Sequence, residues 1–243
     1  MKTKLFAHRG VRKYYPENTM SAFKAAHDMG LDGIELDVQR TADGQLVICH
    51  DEHLERLTGQ DLWLKDLTYQ ELARLNVAHY RPQAPAEAAP LLSDFLDWFK
   101  GTDMLVNLEL KNTVVPYEGM EEEVLALVDS FDLRDRVIIS SFSFDSVVHM
   151  KSLAPDLDVG FLYQKFLPSV VGKVSKHGLD AIHPLYINQI WCWMTRQAHR
   201  KGLKVRVWTV DHPLFIRNAL WRKVDTIMTD DPEIALALRD KGK

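Results

Sequence analysis

The chain has 243 residues, 46% hydrophobic and 26% charged, a composition typical of a soluble globular protein with a sizeable core. Its net charge of −4 comes from acidic and basic residues mixed along the chain, so no basic run marks a nucleic-acid partner. The opening MKTKLFAHRG has too short an apolar stretch for a signal peptide, no later segment approaches a membrane span, and Cys49 and Cys192 lack zinc-like spacing; a reduced, cytoplasmic protein is expected.

Short β-rich apolar runs alternate with helical patterns from end to end. The first strand is expected at KLFA (4–7), followed by the helix TMSAFKAAHDMG with Asn18 as its N-cap and Gly30 as its stop. GIELDV (33–38) is the second strand, and TADGQLVICH reads as a hairpin appended to it, because Asp43-Gly44 is a strong turn signal. From about Leu54 to Pro90 the chain becomes long, mostly polar and broken by RPQAPAEAAP. This predicts an excursion (54–90) at the C-terminal rim of a barrel, with TYQELARLN as a short helix inside it. Strands follow at MLVNLEL (104–110), RVIIS (136–140), DVGFLY (158–163), DAIH (180–183), KVRVW (204–208) and TIMT (226–229), spaced by segments such as EEEVLALVDSF, FDSVVHMKSLA and WMTRQAHRKG. Eight strands, each followed by a helix, predict an α/β fold: one closed parallel (β/α)₈ TIM barrel over 1–243, with the excursion between its second and third strands. A doubly wound sheet is the alternative, but no Gly-rich phosphate fingerprint follows the first strand.

Alternation along a strand puts Glu35 and Asp37 on one face and Ile34, Leu36 and Val38 on the other. The apolar set should meet the helices, which turns the acids into the barrel near its mouth. In VNLELK, Asn107, Glu109 and Lys111 repeat the arrangement on the next strand. Three converging carboxylates resist ionisation through desolvation and mutual repulsion, and a divalent cation relieves both; oxygen-only ligands select Mg²⁺ or Ca²⁺ over zinc. The competing expectation is that each acid pairs with an arginine or lysine. His8 and Arg9 end the first strand and His50 ends the hairpin, so all three can reach the same mouth. Two imidazoles near neutrality can take and give a proton, Arg9 offers a planar fork for an anionic oxygen, and Lys111 a compact charge. Such a set suits displacement at a phosphodiester. Seven other histidines (His27, His53, His79, His149, His177, His199, His212) read as ordinary surface or hydrogen-bonded residues, and His183 as a core or rim residue.

AHRG (7–10), PENT (16–19), ELD (35–37), HD (50–51) and ELK (109–111) closely resemble motifs of the glycerophosphodiester phosphodiesterases, and SSF (140–142), VWTVD (207–211) and TDDP (229–232) extend the resemblance along essentially the whole chain. The resemblance implies a metal-dependent barrel hydrolase that cleaves a small-molecule glycerophosphodiester to sn-glycerol 3-phosphate and an alcohol. It implies His8 and His50 as the acid–base pair, Glu35, Asp37 and Glu109 as ligands of the ion, and Arg9 and Lys111 as phosphate-binding residues. It also implies either attack by the substrate's own adjacent hydroxyl, through a cyclic phosphate, or direct attack by water. Trp208 either packs on the glycerol or its headgroup or fills a barrel layer, and Phe142 carries the same two readings. Glu17 and Asn18 match the family motif, but helix capping and rim hydrogen bonding account for them. Asp211 stands where the family often has asparagine, and Lys223 and Thr226 where glycines are frequent. A lysophospholipase D or cyclising phospholipase-like activity is the rival on the same barrel, and needs an apolar groove. A catalytically silent binding barrel would have lost part of the metal or acid–base set, and an aldolase or isomerase would leave the histidines unused. The cluster IWCWM (190–194) is read by default as helix core. Oligomeric state is left open.

Overall fold

In the computed structural model, residues 2–190 and 192–240 are described. Among these residues nine strands occur in chain order: β1 (Lys4–His8), β2 (Gly33–Arg40), β3 (Leu46–Ile48), β4 (Leu105–Leu110), β5 (Val137–Ser141), β6 (Asp158–Tyr163), β7 (Ala181–Pro184), β8 (Lys204–Val207) and β9 (Thr226–Thr229). All but β3 pair in parallel, and β1 pairs with both β2 and β9, which closes an eight-stranded (β/α)₈ barrel. β3 is antiparallel to the end of β2, the hairpin arm expected from Asp43-Gly44.

The helices of the outer layer are α1 (Met20–Asp28), α4 (Leu92–Phe99), α5 (Met120–Ser130), α6 (Phe144–Leu153), α7 (Val170–Lys176), α8 (Cys192–Arg200), α9 (Pro213–Trp221) and α10 (Pro232–Asp240); the excursion holds the short α2 (Glu55–Thr58) and α3 (Tyr69–Leu72). α3 opens with a reciprocal capping box, the Thr68 side chain accepting from Glu71 N while Glu71 accepts from Thr68 N. α1 corrects the sequence reading: Thr19, not Asn18, caps it, accepting from Ala22 N. Asn18 instead has a left-handed backbone (φ 57°), which frees its side chain for the barrel interior.

The outward sides of the strands carry the main core. Ile34, Leu36, Val38, Val106, Leu108 and Leu110 are buried there against the helices, as strand alternation requires. The barrel interior contains a separate apolar plug, Phe6, Ile138 and Met228, with Trp208 packed on it. Gly33 is needed beside that plug, since a Cβ there would lie 2.5 Å from the Phe6 ring. Nearer the N-terminal end of the barrel lies a polar group: buried Arg206 contacts His183 Nε2 at 3.0 Å and Asp158 at 2.5 Å. His183 thus belongs to the interior and not to the rim.

The excursion departs from its polar appearance. Leu54, Leu57, Leu64, Leu72, Val77 and Ala89 join Val47 and Cys49 in a small core separate from the main one. Of the 190–194 cluster, Met194 is buried and Trp193 largely exposed, while Trp191 and the side chains of Ile190 and Cys192 lie outside the described residues.

Candidate active site

Strand register assembles the acids. Asp37 on β2 lies opposite Glu109 on β4, and Glu35 lies opposite His8 on β1. Carboxylate oxygens of Glu35, Asp37 and Glu109 all fall within 4.8 Å of one another. Burial, then the charges of Asp37 and Glu109, push the Glu35 carboxyl well above its ordinary value. Glu109 is raised by burial and Asp37. Burial also opposes the charge of Asp37, but Arg9, His50 and Lys111 outweigh it and hold this carboxyl below the usual range. Its Oδ2 accepts from Asn18 Nδ2 at 2.8 Å, whereas the buried Oδ1 has no hydrogen-bond partner.

The expectation that arginine or lysine might neutralise these acids is met only in part. Arg9 Nε lies 3.3 Å from Asp37, and Lys111 Nζ lies 3.5 Å from Glu109 and 3.9 Å from Glu52. Arg9 is shared with Glu17, its Nη1 donating to Glu17 Oε1 at 3.0 Å. Three crowded carboxylates, one of them with an unpartnered buried oxygen and the trio balanced by two shared cations, form an oxygen donor set that fits a hard divalent ion.

Each candidate histidine is anchored through Nδ1. That of His50 lies 2.6 Å from Asp51 Oδ1, and that of His8 lies 2.7 Å from Asp230 Oδ1. Asp51 and Asp230 both sit below the ordinary carboxylate range: burial opposes this, but hydrogen bonds from His50 and Arg56 prevail at Asp51, and those from His8 at Asp230. An ionised carboxylate only accepts, so Nδ1 of each ring carries the proton and Nε2 is left for chemistry. His8 Nε2 points toward the acids, 3.9 Å from Glu35 Oε2.

Local conformation serves this geometry. Arg9 has a left-handed backbone (φ 55°), uncommon for a side-chain-bearing residue, and its N–H donates to Glu35 Oε2 at 3.0 Å. Burial opposes its charge, yet Asp37, Glu17 and Glu35 raise its proton affinity above the ordinary value. Of the two readings of Trp208, the contacts support the barrel layer: its ring rests on the apolar plug, its Nε1 donates to His183 O at 2.8 Å, and it meets Phe142 edge to face at 5.4 Å.

Several residues important to the site escaped sequence reasoning. Gln39 Nε2 donates to the carbonyls of Cys49, His50 and Asp51, pinning the backbone that carries His50. Its signal was present, since it continues the inward parity of Glu35 and Asp37. Asp51 and Asp230 lay inside the quoted motifs HD and TDDP without a role. Asp211 accepts from Thr229 Oγ1 and from Asp230 N, so it braces the residue that holds His8. Burial pushes the Asp211 carboxyl up despite the Asp230 N–H.

Residues 8–234 match the glycerophosphoryl diester phosphodiesterase family. A glycerophosphodiester phosphodiesterase of Caldanaerobacter subterraneus subsp. tengcongensis is 38% identical over 243 residues, covering 100% of both chains. The solved glycerophosphodiester phosphodiesterase of Parabacteroides distasonis superposes with a TM-score of 0.86 at 25% identity, covering 100% of this chain and 99% of that one. A phosphodiesterase of Oleispira antarctica, solved in complex with the product sn-glycerol-3-phosphate, has the same fold (TM-score 0.84, 24% identity, 98% and 97% covered). With a closed barrel, a family match over residues 8–234 and relatives similar along their full length, the chain belongs to the glycerophosphoryl diester phosphodiesterase family and is a glycerophosphodiester phosphodiesterase.

Proposed function

We propose that the enzyme hydrolyses glycerophosphodiesters to sn-glycerol 3-phosphate and an alcohol, using Mg²⁺ or Ca²⁺ held by Glu35, Asp37 and Glu109. His8 and His50 form the acid–base pair, and Arg9 and Lys111 meet the phosphate. The observation that carries this reading is the pairing of two Nδ1-anchored histidines with one under-neutralised carboxylate cluster. Bound there, a divalent ion supplies Lewis-acid polarisation of a phosphoryl oxygen. A neutral Nε2 on one ring takes the proton of the attacking hydroxyl, and the protonated Nε2 of the other gives a proton to the departing alkoxide. Lys111 and Arg9 stand beside the acids as positive charges for the remaining phosphate oxygens. Trp208 and Phe142 form an apolar wall against which a glycerol backbone can lie.

The test is turnover of several glycerophosphodiesters with chelator present, followed by return of Mg²⁺ or Ca²⁺. Chelation should abolish turnover and ion return should restore it; full activity in EDTA contradicts the reading. Running glycerophosphocholine beside a lysophospholipid separates it from a lysophospholipase D. Among the described residues no helix is long and apolar enough to cross a membrane.

A further inference from the structure

Glu17, His50 and Asp51 form a second group whose ligand atoms lie within 4.8 Å, yet it is not built to take an ion. Glu17 is buried and already surrounded by three guanidinium groups, from Arg9, Arg12 and Arg56. Arg56 also takes both oxygens of Asp51, through Nε to Oδ2 at 2.6 Å and Nη2 to Oδ1 at 3.1 Å. The same guanidinium reaches Glu17 through Nη2 at 2.6 Å and Nη1 at 3.3 Å. One planar fork therefore ties the carboxylate that holds His50 to the buried carboxylate of the β1–α1 loop.

We infer that Arg56 is a positioning residue for the reaction: by fixing the Asp51 carboxylate against Glu17 it fixes the ring of His50. This rests on the reading that His50 acts in proton transfer. Two devices divide the task. Gln39 clamps the main chain of residues 49–51, which leaves the imidazole and the Asp51 side chain free to turn. Among the described residues only Arg56 restrains that side chain from the other direction, and Asp51 is partly exposed, so without the guanidinium its carboxylate can swing to water. A lysine reaches one carboxylate at one point and cannot hold both.

The anchor behind Arg56 is firm. Glu17 N donates to Tyr80 Oη at 2.9 Å, and Arg56 lies over the Tyr80 ring at 5.4 Å. Arg81 donates to the main-chain carbonyls of Arg12, Lys13 and Tyr15. The excursion thus grips the β1–α1 loop while presenting Arg56 to the site. The chain of contacts continues from Glu17 through Arg12, at 3.2 Å, to Asp230 at 3.5 Å, the residue that holds His8. That last link is longer than a hydrogen bond, so the restraint bears mainly on His50.

The experiment compares Arg56→Lys, Asp51→Asn and the double variant in the full chain. Each single change should lower kcat by about 10- to 100-fold, in the range seen when a residue orienting a working histidine is altered. KM should stay within roughly threefold, a split that marks loss of a reaction-specific interaction. Affinity for Mg²⁺ or Ca²⁺ alone, measured calorimetrically, should be unchanged, as should the circular dichroism spectrum, because half-exposed Arg56 contributes little to stability. The double variant should be no slower than Asp51→Asn alone, since Arg56 acts through Asp51. Wild-type kcat in Arg56→Lys overturns the inference, as does a defect confined to KM or ion affinity, or a double variant slower by the product of the two effects. His50→Ala separates the two readings. If it is fully active, the acid–base assignment falls; if it is inactive while Arg56→Lys is fully active, only the role of Arg56 falls.

Discussion

Two groups of buried charge occupy one barrel, and they are balanced in opposite ways. At the mouth Glu35, Asp37 and Glu109 face Arg9 and Lys111, and Arg9 is partly spent on Glu17. Toward the other end the carboxylate of Asp158 faces Arg206 and Lys204, and a neutral His183 fills the space beside the guanidinium. Burial and Arg206 hold His183 well below its ordinary value. An orphan oxygen does not distinguish the two groups, because Asp158 Oδ1 also lacks a partner. Charge balance does. Where cations meet or exceed anions the pair completes the core; where anions exceed cations the cluster calls for one more positive charge, and there the proposed chemistry is placed.

The largest effect expected from breaking this contrast is at the mouth. If Glu35 holds the ion as proposed, Glu35→Gln should cost roughly 10³-fold in turnover, equivalent to about 4 kcal/mol. The same change should raise the melting temperature of the chelated protein. The raised value of Glu35 means that its ionisation opposes folding, so the chelated wild type loses stability as pH climbs above the ordinary carboxylate range, and the variant lacks that loss. A chelated Glu35→Gln protein that melts below chelated wild type would show that the cluster is already balanced. Next in size, His8→Ala and His50→Ala should each lower kcat by about 10²-fold, the lower end of what a general acid or base contributes, with the fold intact, read from steady-state rates and near-ultraviolet circular dichroism.

The opposite behaviour is expected of the lower pair. Asp158→Asn should leave kcat unchanged and reduce unfolding free energy by roughly 3 kcal/mol, because it strands buried Arg206. Burial works against the Asp158 charge, but Arg206 and Lys204 lower its carboxyl from 3.8 to about 2. Its stabilisation is therefore complete above the ordinary carboxylate value and disappears as pH falls toward about 2. Urea titrations should show the gap between variant and wild type closing over that interval. The smallest effect is expected at Trp208→Phe, which loses the bond to His183 O but keeps an aromatic wall; KM should rise by a factor of roughly 3 to 5, near the worth of one neutral hydrogen bond.

The barrel was legible because its strands announce themselves twice, through β-rich apolar runs and through acids on the face opposite Leu and Ile. β6 and β9 begin and end where the sequence places them, and the Asp43-Gly44 turn delivers β3. The cap of α1 was misplaced because Asn18 and Thr19 are both good caps, and only the demand of Asp37 for a donor decides between them. Charge partners across long separations were hidden for the same reason: nothing local to Arg56 or Arg12 tells that Glu17 lies between them. The core of the excursion was obscured by its spacing, since Leu54, Leu57, Leu64 and Leu72 follow no single period and are gathered by short turns instead of one helix or strand.

That small core also contains a natural reporter. Cys49 is enclosed with the excursion leucines, next in sequence to His50, and burial pushes its thiol above the ordinary value, so neither thiolate nor reagent is available while the excursion is closed. In a Cys192→Ser background, the rate at which Cys49 is alkylated therefore times the parting of this flap from the barrel, without any added label.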